Sequence, residues 1–317
     1  RAPFMQIALT FPGQGSQTVG MGKALADAMP AAREVFQEVD EALGQDLSRL
    51  IWEGPIEQLT LTENAQPALM AVSLAAARCL AKELDFDLGQ RVSFVAGHSL
   101  GEYSSLAAAG SLAVSDAARL LKARGHAMQE AVPVGEGAMA AILGLDFDVV
   151  RDIAAEAAEN EVCAAANDNA PGQVVVSGHA GAVDRAIALA KSQGAKRALP
   201  LSVSAPFHCA LMAPAAEVMA ERLASVNLAP PRVPLVANVT ARKVSDPDTV
   251  RSQLVAQVTG TVRWRESVLQ MVADGTDTFI EIGAGKVLSG LVKRTADDEV
   301  NANLETPNDL DALAKIL

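Results

Sequence analysis

The segment GHSLG at residues 97–101 constrains the fold more than any other part of the sequence. It follows an apolar run, VSFVA at 92–96, and it precedes residues 100–109, whose composition favours a helix. A Gly-x-Ser-x-Gly between a strand and a helix is typical of a nucleophile elbow, a strained turn that lifts a serine hydroxyl clear of a sheet. Ser99 is therefore the predicted nucleophile. The alternative is that Ser99 only caps the helix and that the glycines only form the turn.

Strand and helix patterns alternate along the first part of the chain. Residues 6–11, QIALTF, predict a strand that ends in a Gly-rich turn. Apolar residues at helical spacing predict helices over 21–44 and 67–84, and Pro67 is interpreted as part of the first turn of the second helix. Repeated strand–turn–helix units favour an α/β fold with a mainly parallel sheet and helices on both faces.

A different pattern begins near Pro133. The predicted elements are, in order, strand 138–145, helix 146–159, strands 161–166 and 173–177, helix 180–193 and strand 195–201. This βαββαβ order is typical of a ferredoxin-like unit. We therefore predict a small subdomain over 133–200, inserted into a large subdomain formed by 1–132 and 201–317. After residue 201, the large sheet is expected to gain strands over 233–239 and 278–283.

The composition excludes several classes of protein. The formal net charge is −12 and the sequence pI is about 4.8, so nucleic acid is not an expected partner. No run of about 18 apolar residues is present, which predicts no membrane span and a cytoplasmic location. The three cysteines are scattered without metal-ligand spacing, so no metal site is expected.

The four residues before Met5 are interpreted as a cloning remnant, and a monomer is expected.

A serine nucleophile needs a base, and the chain contains four histidines. His98 adjoins Ser99, so its side chain is expected to point away from the hydroxyl. His126 lies on a predicted helix and His179 in a turn of the small subdomain, and both are interpreted as surface or packing residues. His208 follows the return of the chain to the large subdomain, so it is the favoured base.

The sequence resembles the malonyl-CoA:acyl-carrier-protein transacylases, a family of acyltransferases. The segments that carry the resemblance are FPGQGSQ (11–17), GHSLGEYSSL (97–106), KARGHAMQEAVP (122–133), GAMAAILG (137–144), PGQVVVSG (171–178), GAKRALPLSVSAPFH (194–208) and EIGAGKVLSGLVKR (281–294). They span nearly the whole chain in the order found in the family. The resemblance implies an α/β-hydrolase-like core with an inserted ferredoxin-like subdomain, in agreement with the element pattern.

The resemblance also implies catalytic roles. Ser99 would carry the malonyl ester and His208 would act as its base. The backbone carbonyl of Arg263 would orient the histidine in place of an aspartate. The backbone N–H groups of Gln14 and Leu100 would form the oxyanion hole.

The substrate pocket follows from the same resemblance. Arg124 would bind the free carboxylate of the malonyl group, because a guanidinium can donate two parallel hydrogen bonds to it. Gln66 and Asn167 match positions that line the pocket, although turn chemistry also explains an Asn at 167. Phe207, directly before the histidine, would crowd the extra methyl of a methylmalonyl group.

The implied reaction is a ping-pong transfer of malonyl from malonyl-CoA to holo acyl carrier protein for fatty-acid synthesis, without metal or redox cofactor. Because carrier proteins are acidic, we expect a basic docking surface beside the cleft. The candidate side chains are Lys191, Lys196, Arg197, Arg263, Arg265, Lys293 and Arg294. Two alternatives stay open at this point: a serine esterase or thioesterase on the same scaffold, and a non-catalytic scaffold protein.

Overall fold

The computed structural model describes residues 4–203 and 205–317, which form two sheets surrounded by helices. The strands are β1 (Ile7–Phe11), β2 (Val92–Gly97), β3 (Gly137–Leu143), β4 (Cys163–Ala170), β5 (Gln173–His179), β6 (Arg197–Pro200), β7 (Leu235–Val236), β8 (Lys243–Val244), β9 (Thr278–Ile282) and β10 (Val300–Leu304).

Helices cover both faces of the large sheet and one face of the small one. They are α1 (Lys23–Ala28), α2 (Pro30–Leu43), α3 (Leu47–Glu53), α4 (Ile56–Thr60), α5 (Thr62–Glu83), α6 (Leu88–Arg91), α7 (Gly101–Ala108), α8 (Val114–Glu130), α9 (Phe147–Ala158), α10 (Ala180–Ser192), α11 (Ala213–Ala224), α12 (Pro247–Thr259), α13 (Trp264–Ala273), α14 (Val287–Thr295) and α15 (Pro307–Ala314). A short 3₁₀ turn, Ala210–Met212, precedes α11.

The large sheet has the strand order β10-β9-β1-β2-β7-β8. Every pair is parallel except β7 with β8 at one edge. The central strand β1, IALTF, is buried at all five positions, as expected for a strand covered by helices on both faces. The predicted α/β fold with a mainly parallel sheet is confirmed.

The small sheet is antiparallel and has the order β4-β5-β3-β6. Its elements follow the sequence β3-α9-β4-β5-α10-β6, which is the predicted βαββαβ arrangement. A separate apolar core lies between this sheet and its two helices, with Ile142, Val176 and Ile153 fully buried. All of these elements fall inside the predicted range 133–200, whose end residues stay a prediction.

The small sheet is joined at the end of β4 to the segment of the large subdomain that precedes α13. The N–H of Asp168 donates to the carbonyl of Val262 (2.9 Å), and the N–H of Val262 donates to the carbonyl of Ala166 (2.8 Å). The buried carboxylate of Asp168 also accepts hydrogen bonds from Arg265 Nε and Nη2, at 2.9 to 3.1 Å. This junction fixes β4 against the edge of the cleft between the subdomains.

Three local predictions are wrong. The helix expected over 21–44 is divided into α1 and α2 at Met29, whose backbone is extended before Pro30. The helix expected over 67–84 begins at Thr62, so Pro67 lies inside it. The helix continues because a proline there removes only one backbone donor, whereas residues 62–66 gain burial. The strand expected over 233–239 shortens to β7, since a tight turn closes with the hydrogen bond from Ala241 N–H to the carbonyl of Ala237.

No helix within residues 4–203 and 205–317 is both long and apolar enough to cross a lipid bilayer.

Candidate active site

Ser99 lies in the sharp turn between β2 and α7 and has a left-handed φ of 56°. A Cβ atom at Gly97 would overlap the carbonyl of Gly101, and one at Gly101 would overlap the carbonyl of Phe11. Both glycines are therefore required for the close approach of strand and helix. The helix-cap alternative is wrong, because Leu100 occupies the N-cap position of α7 and no side chain caps it. The geometry is that of a nucleophile elbow.

His208 is placed as a base for Ser99. Its Nε2 atom lies 2.8 Å from Ser99 Oγ, and its Nδ1 atom lies 2.9 Å from the carbonyl oxygen of Gln257. A carbonyl can only accept, so Nδ1 carries the proton and Nε2 is available to accept from the serine. Burial, assisted by the charge of Arg124, lowers the pKa of His208 to about 3. The imidazole is therefore neutral and ready to take a proton at pH 7.

The prediction that Arg263 supplies the orienting carbonyl is wrong. Gln257 supplies it from the last turn of α12, where helix carbonyls lack the usual partner four residues on. The carbonyl of Arg263 is used at the start of α13, where it accepts from the N–H and the hydroxyl of Ser267. The Arg263 side chain pairs with Glu266.

Arg124 lies on α8 and is almost fully buried, with 1% of its surface exposed. Its Nη2 atom donates to Ser99 Oγ (3.1 Å) and to Gln257 Oε1 (2.7 Å), and its Nη1 atom donates to Gln66 Oε1 (2.9 Å). Among the described residues, its Nε atom has no hydrogen-bond partner. The structure thus places a buried cation with unused donor capacity directly beside the serine hydroxyl.

A carboxyl group lies below this site. Glu102 is 1% exposed and accepts a hydrogen bond from the N–H of Asn238. Burial raises the pKa of Glu102 to about 8, against the opposing effects of Asn238 and Arg124. No sequence pattern assigned a role to Glu102, although it belongs to the GHSLGE segment.

A cavity of about 360 Å³ opens above the elbow, between the two subdomains. All of the predicted site residues except Arg263 line it, namely Gln14, Gln66, Ser99, Leu100, Arg124, Asn167, Phe207 and His208. The structure therefore brings together residues that are far apart in the chain. The loop with Gln14 is held beside the elbow by the hydrogen bond from His98 N–H to the carbonyl of Phe11 (3.0 Å).

His98 and His126 lie as expected from the sequence, whereas His179 is the last residue of β5 and not part of a turn. His98 points away from the hydroxyl and its Nε2 atom lies 2.8 Å from Asn169 Oδ1 in the cavity wall. His126 is exposed on α8 beside Glu63. His179 Nδ1 accepts the N–H of Val162 in the small subdomain.

Gln257 is the functional residue that sequence reasoning missed most clearly. It is fully buried and contacts three site residues: its carbonyl accepts from His208, its Oε1 from Arg124, and its Nε2 donates to the carbonyl of Ser99 (3.0 Å). No sequence motif marks it, because its main contact uses a backbone carbonyl that every residue possesses.

A family model described as the acyl transferase domain matches residues 9–307. The chain belongs to the acyl transferase family. A curated relative from Bacillus subtilis (strain 168), named malonyl CoA-acyl carrier protein transacylase, is 48% identical over 302 residues, which cover 95% of this chain and 92% of the relative. These findings confirm the family predicted from the sequence.

Solved structures of other acyl transferases share the fold throughout. The crystal structure of an acyl-carrier-protein-S-malonyltransferase from Bartonella henselae has a TM-score of 0.96 and 53% identity, covering 98% of this chain and 99% of that one. A malonyl-transacylase solved in complex with its type II PKS acyl-carrier protein has a TM-score of 0.94 and 42% identity, covering 98% of this chain and 100% of that one. The predicted fold class is confirmed by these acyl transferases.

Proposed function

We propose that the protein transfers a malonyl group from malonyl-CoA to the phosphopantetheine thiol of holo acyl carrier protein, and so supplies extender units for fatty-acid synthesis. This proposal rests on Arg124, which is buried and whose Nη2 atom lies 3.1 Å from Ser99 Oγ. A buried cation beside the nucleophile stabilises an acyl group that ends in a carboxylate. The names of the relatives agree with this substrate.

In the first half-reaction, Ser99 Oγ attacks the thioester carbonyl of malonyl-CoA while His208 Nε2 accepts the hydroxyl proton. The carbonyl oxygen becomes an oxyanion, for which the backbone N–H groups of Gln14 and Leu100 are the proposed donors. The carbon–sulfur bond then breaks, and protonated His208 returns the proton to the departing CoA thiolate. Malonyl is left as an ester on Ser99.

In the second half-reaction, the thiol of the carrier protein takes the place of CoA. His208 Nε2 accepts the thiol proton and the sulfur attacks the ester carbonyl. The ester bond breaks, Ser99 Oγ leaves and His208 reprotonates it. Proton and bond changes balance over the cycle, so the proposed reaction needs no metal or redox cofactor.

Other cavity residues have proposed roles in substrate binding. Gln66 orients Arg124 through the hydrogen bond to Nη1. Asn167 is 9% exposed, and its Oδ1 has no partner within the described chain, which supports a role as acceptor for an amide N–H of the pantetheine arm. Phe207 adjoins the base and lines the cavity, where it would crowd a methyl branch on the acyl group.

An acyl-enzyme on Ser99 is the direct test of this proposal. Brief exposure to malonyl-CoA is expected to raise the intact protein mass by one malonyl group per chain, and addition of holo carrier protein is expected to remove it. Peptide mapping should place the group on Ser99. A Ser99→Ala variant is the control and is expected to stay unlabelled. Labelling of that variant to the same extent, or no labelling of the wild type, would contradict the proposal.

Two of the seven candidate side chains for carrier docking are already paired, whereas Lys191, Lys196 and Arg197 are exposed and stay predictions. Arg265 is held by Asp168 and Arg263 by Glu266, so neither is a free charge. Lys293 and Arg294 are exposed on α14, a helix from which Val287, Leu288 and Leu291 line the cavity.

The exposed side chains of Lys286, Lys293 and Arg294 define the α14 surface. Within the part of the chain that the structure describes, none of the three forms an ion pair. We therefore propose that an acidic carrier protein docks there.

Charge reversal tests the α14 surface. The double change Lys286→Glu and Lys293→Glu is expected to raise KM for carrier protein about tenfold at low salt, with KM for malonyl-CoA changed far less, because only the carrier contacts the outer surface. Lys82→Glu is the control, since Lys82 lies about 24 Å along α5 from Gln66. Equal changes in both KM values, or an equal effect of Lys82→Glu, would contradict this docking surface.

The oligomeric state and the cellular location of the enzyme are also proposals. We propose a monomer in the cytoplasm. The free thiols of Cys79, Cys163 and Cys209 support a reducing compartment.

A further inference from the structure

Asn238 is fully buried in the turn after β7 and lies beneath the elbow. Its Oδ1 atom accepts the N–H of Ser99 (2.8 Å), and its Nδ2 atom donates to the carbonyl of Gly97 (2.8 Å). Its own backbone is held as well, because its N–H donates to Glu102 and its carbonyl accepts the N–H of Arg263. The side chain therefore clamps the chain on both sides of His98.

The elbow needs such a clamp because the pairing of β2 with β7 ends before the elbow begins. The strand β2 pairs with β7 only at Val95 and Leu235, so the sheet on that side gives no partner to Gly97 or Ser99. The left-handed conformation of Ser99 is uncommon for a residue with a side chain and persists only where its surroundings fix it. An amide offers one acceptor and one donor at fixed geometry, which match one N–H and one carbonyl.

Gln257 completes the arrangement. Its Nε2 atom donates to the carbonyl of Ser99 (3.0 Å) and lies 3.3 Å from Asn238 Oδ1. The carbonyl of Ser99 and the N–H of Leu100 belong to one peptide group, so this contact orients and polarises the proposed oxyanion donor. Two buried amides thus fix the peptide groups on both sides of the nucleophile.

We propose that Asn238 is a positioning residue for catalysis: its amide holds the elbow in the conformation that aims Ser99 Oγ at His208 and the Leu100 N–H at the acyl oxygen. This inference rests on the proposed role of Ser99 as nucleophile. It assigns to Asn238 an effect on the rate of acylation rather than on substrate binding, because Asn238 lies beneath the turn and not in the cavity wall.

The surroundings explain why an amide is suited to this position. Glu102 and Arg263 contact the backbone of Asn238 directly, and Arg124 and His208 are linked to its side chain through Ser99 and Gln257. An ionised aspartate at position 238 could not donate a hydrogen bond to the Gly97 carbonyl, and it would lie near the carboxyl group of Glu102. A protonated carboxyl would regain both functions, since its O–H donates and its carbonyl accepts.

The first test is the single-turnover rate at which malonyl-CoA acylates Ser99. Asn238→Ala is expected to lower this rate 10- to 100-fold, with the malonyl-CoA concentration at half-maximal rate changed less than threefold, since displacement of a reacting group by about 1 Å costs on that order. Asn238→Asp is expected to be slow at pH 7.5 and to recover toward the wild-type rate as the pH falls to 5.5. His208 stays neutral over this range because its pKa is about 3.

Asn64→Ala is the matched control. Asn64 is also a buried amide, whose Nδ2 donates to the carbonyl of Gln58 (2.9 Å) and whose Oδ1 accepts from Lys122 (2.9 Å), away from the elbow. The Asn64→Ala substitution is expected to lower the thermal midpoint about as much as Asn238→Ala does, and the variant is expected to be acylated at the wild-type rate.

The outcomes separate this inference from the proposed function. Wild-type acylation rates in both Asn238 variants, or equal slowing by Asn64→Ala, would overturn the positioning role. If Asn238→Ala does not fold, the acylation rate of Asn238→Asp between pH 7.5 and 5.5, compared with that of the wild type, decides whether Asn238 positions the elbow. A parallel change of the two rates with pH would overturn the positioning role. Failure of the wild type to form a Ser99 adduct would instead overturn the proposed function.

Discussion

Replacement of His208 by Ala is expected to lower kcat/KM for malonyl transfer by about 10³-fold, the usual contribution of a well-placed general base. The reason is geometric: Nε2 lies 2.8 Å from Ser99 Oγ, and no other imidazole of the described chain is hydrogen-bonded to that hydroxyl. Single-turnover acylation by malonyl-CoA measures the effect on the first half-reaction. His126→Ala is the control, since His126 is exposed on α8, and it is expected to be indistinguishable from wild type.

The pH dependence gives this prediction a second readout. Burial lowers the pKa of His208 from 6.5 to about 3, and the base is active when deprotonated. The wild-type kcat/KM is therefore expected to show no acidic limb with a midpoint near pH 6.5 and to stay level from pH 7 to about 5. A fall in kcat/KM centred near 6.5 in wild type would contradict a buried, neutral base.

The same pKa shift predicts a stability effect with a defined sign. The unfolded chain binds a proton at His208 below pH 6.5, whereas the folded protein does not until about pH 3. Since the unfolded state then binds more protons, the free energy of unfolding falls as the pH decreases through this window. His208→Ala is expected to flatten that part of the pH dependence of the thermal midpoint. An unchanged slope would contradict the lowered pKa.

The sequence could predict those parts of the fold and of the site that depend on residues close together in the chain. The elbow was predictable because its glycine spacing, its strand and its helix are adjacent in the chain. The βαββαβ order was predictable for the same reason, since each element has its own hydrophobic period. Arg124 was different: on its helix it looks like a surface arginine, and only the resemblance to a family indicated its role.

Contacts between distant segments account for what the sequence could not show. Gln257 acts through a backbone carbonyl, and Asn238 through a turn that replaces the expected end of a strand. Glu102 is adjacent to the motif, but its burial follows from the packing of α7. Pro67 marked a plausible helix start, and burial of the preceding turn extended the helix beyond it.

Arg124→Ala is expected to reverse the acyl preference of the enzyme. By the proposed function, a malonyl carboxylate pairs in the wild type with the Arg124 guanidinium, which is 1% exposed, whereas an acetyl group leaves that charge unpaired. Removing one partner of a buried ion pair costs about 3–5 kcal/mol, which corresponds to a loss of malonyl transfer of about 10²- to 4 × 10³-fold. Transfer of acetyl from acetyl-CoA is expected to be retained or improved, because a neutral acyl group no longer faces an unpaired cation.

Paired kinetics with malonyl-CoA and acetyl-CoA decide whether Arg124 acts on the substrate carboxylate. Arg119→Ala is the control, since Arg119 lies on the same helix but is exposed and pairs with Asp116. Arg124→Lys keeps the charge but not the two parallel donors, so intermediate malonyl transfer is expected. An equal loss for both substrates would show that Arg124 serves only Ser99 Oγ, to which Nη2 also donates. Unchanged malonyl transfer would favour the esterase alternative, in which the guanidinium has no part in substrate selection.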